Sequence, residues 1–268
     1  MQLGIAGLGA IGLAVARAVD AGRVPGISLA AVAARDRARA ESTLGDLSAP
    51  PRLVTDLADL AEAADVVMEC LPAQHFAAVA APAIARGRIF MPLSVGALID
   101  HMDLIERARA TGARIIVPTG ALLGLDAVRA AAEGRIASVR IVTRKPPAGL
   151  AGAPLIVARS IDLAAVKEPL KVFEGTARAA IAGFPANVNV AVALSLAGIG
   201  PDATEVEVWA DPTVTRNTHT IMVRSDSADL TMTIENIPSE ANPRTGKITA
   251  LSALATLRRL VAPLVVGS

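Results

Sequence analysis

The stretch QLGIAGLGAIG at residues 2–12 joins a short apolar strand to three glycines, Gly7, Gly9 and Gly12, with a helical pattern behind them. In a strand–turn–helix unit the first glycine permits the tight turn and the second lets the backbone approach a pyrophosphate. The third lets the helix pack closely on the strand. The helix N-terminus directs N–H groups and partial positive charge at the phosphates. The stretch therefore predicts a dinucleotide site formed by Gly7, Gly9, Ala10, Ile11 and Gly12.

Strand and helix patterns alternate from this stretch up to Pro118. Apolar strands are predicted at residues 28–34, 64–70 and 113–118, among others, and helical patterns lie between them. Continuous apolar strands joined by helical crossovers are typical of a parallel sheet that is covered on both faces. We therefore expect an α/β fold that begins with a Rossmann-type, dinucleotide-binding domain at residues 1–118.

The pattern changes after Pro118. One helix, at about 123–134, leads into strands that mostly alternate apolar and polar residues, as antiparallel sheets with one solvated face do. A helix at about 187–197 interrupts them, and a last apolar helix at about 248–262 is expected to pack back on the first domain. We predict an α+β catalytic and dimerisation domain at 119–247 with a mainly antiparallel sheet, and a Rossmann domain completed by residues 248–268. The predicted strands lie at residues 138–145, 169–175, 204–211, 218–225 and 228–236.

Composition excludes several classes of protein. Hydrophobic residues make up 53% of the 268 residues, but no apolar run reaches about 18 residues without a charge or helix breaker, as a membrane span requires. The net charge of +1 gives no footprint for nucleic acid or an anionic membrane. The single cysteine, Cys70, excludes an intramolecular disulfide and fits a reducing compartment. With no leader-like segment at the N-terminus, these features predict a cytoplasmic protein.

The choice between NAD and NADP stays open. An acidic residue about 20 residues after the glycines normally binds the adenine ribose, and Asp36 lies close to that position. Arg35 precedes it and Arg37 and Arg39 follow, and guanidinium groups suit a 2′-phosphate. These arginines are equally consistent with solvated charges on a helix.

Few residues offer acid–base or nucleophilic chemistry. Of the three histidines, His75 and His101 are predicted near helix starts, whereas His219 begins a strand in ADPTVTRNTHTI at residues 210–221. A lone strand histidine is more often structural than catalytic, so the residues alone do not decide its role. Cys70 follows a buried strand and is expected to be an inert core thiol. No His, Cys and Asp cluster has metal-ligand spacing, and no metal is expected.

Several segments of the second half, together with SVGAL at 94–98, closely resemble the L-aspartate dehydrogenase family. The resemblance implies a Rossmann domain with an α+β catalytic domain, usually in a homodimer. It also implies oxidation of L-aspartate to iminoaspartate with NAD or NADP, releasing oxaloacetate and ammonia on hydrolysis. In some organisms the iminoaspartate feeds NAD biosynthesis. The segments are GALLGLDAV (120–128), TRKPP (143–147), residues 173–204, ADPTVTRNTHTI (210–221) and ENIPSEANPRTGKITALSALATLR (235–258).

Carried over to this chain, the resemblance identifies His219 as the catalytic residue and Ala121 and Asn187 as cofactor contacts. Aspartate has two carboxylates, which require cationic or N–H donors, and the candidates in family-like segments are Arg144, Lys145 and Arg244. Asn217 is a further candidate that could bind substrate, orient His219 or cap a turn. The chain departs from the family at Thr119, at residues 227–228 and at residues 244 and 246. The latter two sites touch loops expected near the substrate.

Two other functions fit the same layout. One is an NAD(P)-dependent reductase or dehydrogenase of another small acid, of the homoserine dehydrogenase or dihydrodipicolinate reductase type. The other is a non-catalytic NAD(P)-binding redox sensor, which would need no proton-transfer group. Turnover with L-aspartate, turnover only with another amino or hydroxy acid, and coenzyme binding without turnover distinguish the three functions.

Overall fold

The apolar strands of the first part of the chain form one parallel sheet. The fold is taken from a computed structural model that describes residues 1–185, 188–240 and 246–267. The strands are short, and the central ones, β1 and β4, are almost fully buried, as the continuous apolar runs predict, whereas the edge strands β3 and β6 are partly exposed. They are β1 (Gln2–Ala6), β2 (Ser28–Ala33), β3 (Arg52–Val54), β4 (Val66–Glu69), β5 (Ile89–Pro92) and β6 (Arg114–Ile115).

The strand order is β3-β2-β1-β4-β5-β6, and every pair of neighbours is parallel. The order reverses between β1 and β4, so the chain leaves these two strands in opposite directions. Ligands of open parallel sheets bind beyond the carboxyl ends of the strands at such a point. Ala6 and Glu69, the last residues of β1 and β4, therefore mark the place where a dinucleotide is expected.

Helices connect these strands. The helices of this part are α1 (Ala10–Asp20), α2 (Arg37–Leu44), α3 (Leu57–Glu62), α4 (Phe76–Ala85), α5 (Val95–Leu98) and α6 (Asp103–Thr111). Short 3-10 turns lie at Ala73–His75 and Ile99–His101. The predicted Rossmann-type sheet is confirmed.

The second part contains a five-stranded mixed sheet in the order β11-β10-β7-β9-β8. Three of its four strand pairs are antiparallel and the pair β7–β9 is parallel, so the predicted mainly antiparallel sheet is confirmed. The strands are β7 (Ile136–Lys145), β8 (Leu170–Thr176), β9 (Thr204–Ala210), β10 (Asn217–Ser225) and β11 (Asp229–Asn236). The helices are α7 (Leu125–Ala132), α8 (Pro154–Ala158), α9 (Ala177–Gly183), α10 (Asn189–Ala197) and, returning to the first part, α11 (Lys247–Val261).

The helix α11 belongs with the parallel sheet. Its buried residues Ala253, Leu254 and Leu257 join one hydrophobic cluster with residues of β1, β2 and α1. Backbone contacts divide the chain accordingly into Met1–Pro118 with Thr249–Val265, and Thr119–Ile248 with the residues after Val265. The last described residues, Val266 and Gly267, thus group with the second unit.

The differences from the sequence reading are confined to short elements. The helices α5, α8 and α9 were not predicted, because four to seven residues are too few to show a helical period. Among the described residues, no helix combines the length and the apolar character that crossing a membrane requires.

Candidate functional site

Two of the glycines at residues 7–12 are fixed by their surroundings. Gly7 has φ of +99°, and a Cβ on it would lie 2.7 Å from Cδ2 of Leu71 and 3.0 Å from the carbonyl oxygen of Cys70. A Cβ on Gly12 would lie only 2.1 Å from the carbonyl oxygen of Gly7. The first glycine makes the turn and the third lets α1 touch it, as the sequence predicts.

Gly9 differs, because nothing lies within 4 Å of the position that its Cβ would occupy. It is exposed and caps α1 at φ of −69°, without a side-chain hydrogen bond to the helix. The first N–H groups of the helix, including those of Ala10 and Ile11, have no acceptor within the helix. A missing Cβ, open space and N–H groups of a helix start are the features that fit a pyrophosphate.

The predicted ribose-binding segment follows β2. Arg35 and Asp36 are both exposed there, and Oδ1 of Asp36 accepts a hydrogen bond from the backbone N–H of Arg39 at 3.0 Å. Arg37 pairs with Glu41 one helical turn later, at 2.8 Å between Nε and Oε1. Asp36 thus caps α2 with one oxygen, and Arg35 precedes it in the exposed turn between β2 and α2.

Glu69, at the end of β4, is fully buried. Its Oε1 accepts from the backbone N–H of Leu71 at 2.8 Å, and its Oε2 accepts from the backbone N–H of Ser94 at 3.0 Å. Burial raises the pKa of this carboxyl, and the hydrogen bonds from Ser94 and Leu71 partly offset that rise. Sequence reasoning assigned Glu69 no role, although a carboxylate in an otherwise apolar strand was the available signal.

In the second unit, polar side chains gather at one end of one sheet face. The strands β7 and β10 are antiparallel, with Thr143 opposite His219, and both residues are buried. Because side chains alternate along a strand, Lys145 lies on the same face as Thr143, and Asn217 on the same face as His219. Farther along both strands this face is apolar, with Ile141 and Ile221 paired and fully buried.

His219 is only 3% exposed, and its Nδ1 lies 3.0 Å from the hydroxyl of Thr143. Among the described residues, none forms a hydrogen bond with the other ring nitrogen, Nε2. Burial, and secondarily the charge of Lys145, lower the pKa of His219 to about 3. The imidazole is therefore neutral at physiological pH, and Thr143 holds one of its two nitrogens.

Lys145 is 5% exposed and close enough for its charge to act on His219. Burial lowers the pKa of its ammonium group to about 8. A buried cation that is charged at neutral pH, beside a neutral histidine, suits an anionic ligand.

Arg144 lies on the opposite face of the sheet. Its Nη1 donates to Oδ2 of the buried Asp211 at 2.9 Å, and its guanidinium lies 4.7 Å from the ring centroid of Trp209. The structure therefore does not bring this predicted substrate residue to the cluster around His219. Period-two alternation from the buried Val139 and Ile141 would have separated Arg144 from Lys145.

Asn236 joins the cluster, although sequence reasoning gave it no role. It stands opposite Asn217 in the β10–β11 pair and is 3% exposed. Its Nδ2 donates to the carbonyl oxygen of Ala121 at 3.1 Å, which fixes the turn that contains this predicted cofactor contact. The sequence feature that could have identified Asn236 is its place as a polar residue at the end of the alternating apolar series Leu230, Met232 and Ile234.

Two predicted site residues, Asn187 and Arg244, lie outside the described residues. His75 is exposed and His101 stacks on Phe76 with ring centroids 5.6 Å apart. Cys70 is half-buried, and burial raises the pKa of its thiol well above the ordinary value, which disfavours the thiolate form.

Comparison with known proteins covers both units. The family described as "Homoserine dehydrogenase, NAD binding domain" matches residues 7–118, and the family described as "Aspartate dehydrogenase, C-terminal" matches residues 126–260. An L-aspartate dehydrogenase of Bradyrhizobium diazoefficiens is 57% identical over 268 residues, covering 100% of this chain and 94% of its own. L-aspartate dehydrogenase 3 of Bordetella bronchiseptica is 53% identical, with coverages of 100% and 98%.

Among solved structures, the aspartate dehydrogenase of Thermotoga maritima matches with a TM-score of 0.75. Its sequence is 24% identical, and the match covers 100% of this chain and 99% of the other. At this identity the match establishes a common fold for the whole chain.

Proposed function

The chain belongs to the L-aspartate dehydrogenase family, and we propose that it oxidises L-aspartate to iminoaspartate with NAD or NADP. Hydrolysis of iminoaspartate gives oxaloacetate and ammonia. The observation that carries the proposal is the neutral, buried His219 beside the cationic Lys145, within the residues that match the C-terminal part of aspartate dehydrogenases.

His219 is the proposed proton acceptor. The bound nicotinamide supplies the hydride acceptor. For the Cα–H hydride to leave, the substrate nitrogen must give up a proton so that its lone pair can form the C=N bond. Nε2 of His219 accepts a proton either from the ammonium group or from the water that attacks the imine carbon. Thr143 holds the ring through Nδ1 in either step.

Lys145 is the proposed partner of a substrate carboxylate. Its ammonium group is buried on the same sheet face as His219, where an ion pair is little screened by water. Arg244 is proposed for the second carboxylate from the sequence alone. Asn217, on the same face, is proposed to bind substrate or to orient His219.

Replacing Lys145 with Met is expected to raise the KM for L-aspartate by about tenfold or more, because a charged hydrogen bond contributes about 1.5–3 kcal/mol. Steady-state kinetics with saturating coenzyme measure this. Arg144→Met is the matched control and should change KM by less than about threefold, because Arg144 faces Asp211 instead. Equal effects of both substitutions would contradict the assignment.

The pH dependence of KM provides a second measurement on Lys145. Its pKa, lowered to about 8, keeps the ammonium group charged below that pH and neutral above it. The KM for L-aspartate should therefore rise above about pH 8, by up to tenfold per pH unit. In Lys145→Met this rise should be absent.

At the coenzyme end, we propose that Gly7, Gly9, Ala10, Ile11 and Gly12 hold the pyrophosphate. Asp36 is proposed to accept hydrogen bonds from a ribose, and Arg35 is proposed to meet a 2′-phosphate. Ala121 and Asn187 are proposed to contact the nicotinamide half. Both coenzymes fit this arrangement, so both are tested.

The direct test follows the absorbance of reduced coenzyme with L-aspartate, and then with oxaloacetate plus ammonia, using NAD and NADP in parallel. Turnover in both directions is expected. Turnover only with another amino or hydroxy acid would favour a reductase of homoserine dehydrogenase type. Coenzyme binding without any turnover would favour a redox sensor.

We also propose a cytoplasmic homodimer whose iminoaspartate feeds NAD biosynthesis. The family resemblance supports the dimer and the pathway, and the single cysteine supports the compartment. Light scattering should give about twice the mass of one chain, and a monomer at assay concentrations would refute the dimer.

A further inference from the structure

The buried carboxylate of Glu69 joins two loops at the carboxyl edge of the parallel sheet. Its Oε1 bonds the N–H of Leu71 in the turn after β4, and its Oε2 bonds the N–H of Ser94 in the turn after β5. The hydroxyl of Ser94 lies 3.2 Å from Oε1 and 2.9 Å from the carbonyl oxygen of Leu71. One side chain thus fixes the relative position of both turns.

The turn after β4 in turn supports the glycine turn. The missing side chain of Gly7 leaves the space that Cδ2 of Leu71 and the carbonyl of Cys70 occupy, 2.7 Å and 3.0 Å from where its Cβ would be. Glu69 therefore holds Leu71 in contact with the backbone of Gly7. A displacement of Leu71 would move the start of the glycine turn.

An acidic group in this place is costly unless it is fully hydrogen-bonded. The backbone N–H groups of Leu71 and Ser94 donate to the two oxygens of Glu69, and an apolar side chain would leave both unpaired. The single hydroxyl proton of Ser94 lies within reach of Oε1 of Glu69 and of the closer carbonyl oxygen of Leu71. Such a carboxylate is retained where the position of the loops that it joins matters.

We propose that Glu69 is a positioning residue for the coenzyme, which holds Leu71 and thereby the glycine turn in the shape that receives the pyrophosphate. The inference rests on the coenzyme binding in the proposed function and not on the identity of the substrate. The proposed effect of Glu69 concerns the part of the coenzyme that would bind at the ends of β1 and β4. Asp36 and Arg35, which would meet the adenosine end, follow β2, and β2 lies on the opposite side of β1 from β4.

The test measures binding without turnover. Titration of Glu69→Ala with NADH, or with NADPH if that is the coenzyme used, should give a Kd at least tenfold above that of the unsubstituted protein. The Kd for 5′-AMP, a probe of the adenosine end, should stay within about threefold. Ser94→Ala removes only the hydroxyl contact and should raise the Kd for NADH by less than Glu69→Ala does. Glu69→Gln, which keeps one acceptor oxygen, should fall between them.

A control separates positioning from loss of stability. Leu60→Ala removes a fully buried side chain of α3 in the same unit and should lower Tm while leaving the Kd for NADH unchanged. The proposal is overturned if Glu69→Ala binds NADH normally. It is also overturned if NADH and 5′-AMP weaken by the same factor in Glu69→Ala. Absence of aspartate turnover in the unsubstituted protein would refute the proposed substrate but leave this result intact.

Discussion

Replacing His219 with Ala is expected to lower kcat for L-aspartate oxidation by roughly 10²–10⁴-fold, the usual contribution of a general base. The Kd for NADH should stay within about twofold, because the role proposed for His219 is proton transfer and not binding of the coenzyme. Stopped-flow single turnovers measure the hydride-transfer rate directly, and fluorescence titration measures NADH binding. Turnover close to that of the unsubstituted protein would show that another group accepts the proton.

A second variant, His219→Asn, controls for structural changes around the cavity that His219→Ala leaves. His219→Asn places an amide near Thr143 but cannot exchange protons at neutral pH, so it should be as inactive as His219→Ala. Thr143→Val is the matched control. It keeps the imidazole and removes only the hydroxyl at Nδ1, and should therefore lose less activity than either.

The dependence of kcat/KM on pH below 7 provides an independent test of the environment of His219. An unperturbed histidine, with a pKa near 6.5, would lose its competence as a base below that pH. Burial lowers the pKa of His219 to about 3, so its neutral form persists on falling to pH 5. We expect no loss of kcat/KM from this group between pH 7 and 5, and a tenfold loss per unit beginning near 6.5 would contradict the buried environment.

Sequence patterns predicted the glycine turn, the strands and the long helices, because these depend on residues close together in the chain. The glycines at residues 7–12 and the apolar strands specify a turn and a parallel sheet because backbone sterics and burial act within a few residues. The long helices and all five strands of the second sheet also follow from periodicity. The catalytic role of His219 was predicted only from the family resemblance, because a lone histidine in a strand does not show that its ring will be buried beside a cation.

Residues that act through distant partners were missed. Asn236 bonds Ala121 across 115 positions, and Glu69 bonds Ser94 across 25, so neither contact has a local signal. Arg144 and Lys145 are adjacent cations in sequence, yet a strand sends their side chains to opposite faces. The sequence named both. Alternation from the buried Val139 and Ile141 separates their faces, and the pairing of β7 with β10 shows that the face of Lys145 is the one that carries His219.

Substituting Gly9 with Val is expected to raise the Kd for NAD(H) by a hundredfold or more while leaving the fold intact. No atom lies within 4 Å of the Cβ position and φ is −69°, so the side chain enters open space without backbone strain. We propose that the phosphates meet the start of α1 in that space, and a branched side chain there would exclude them. Gly9→Ala, with one methyl group, should show a smaller loss of affinity.

Gly12→Ala is the matched control, because it should lower the stability of the fold, whereas Gly9→Val should lower the affinity for NAD(H). Its Cβ would lie 2.1 Å from the carbonyl oxygen of Gly7, so the helix must move away from the turn. Overpacking of this kind costs about 1–3 kcal/mol or more, and Tm should fall clearly, whereas Gly9→Val should change stability by less than about 1 kcal/mol. Thermal unfolding and NADH titration of both variants therefore separate a glycine required by the ligand from one required by the fold. Normal NADH affinity in Gly9→Val would show that the phosphates bind elsewhere.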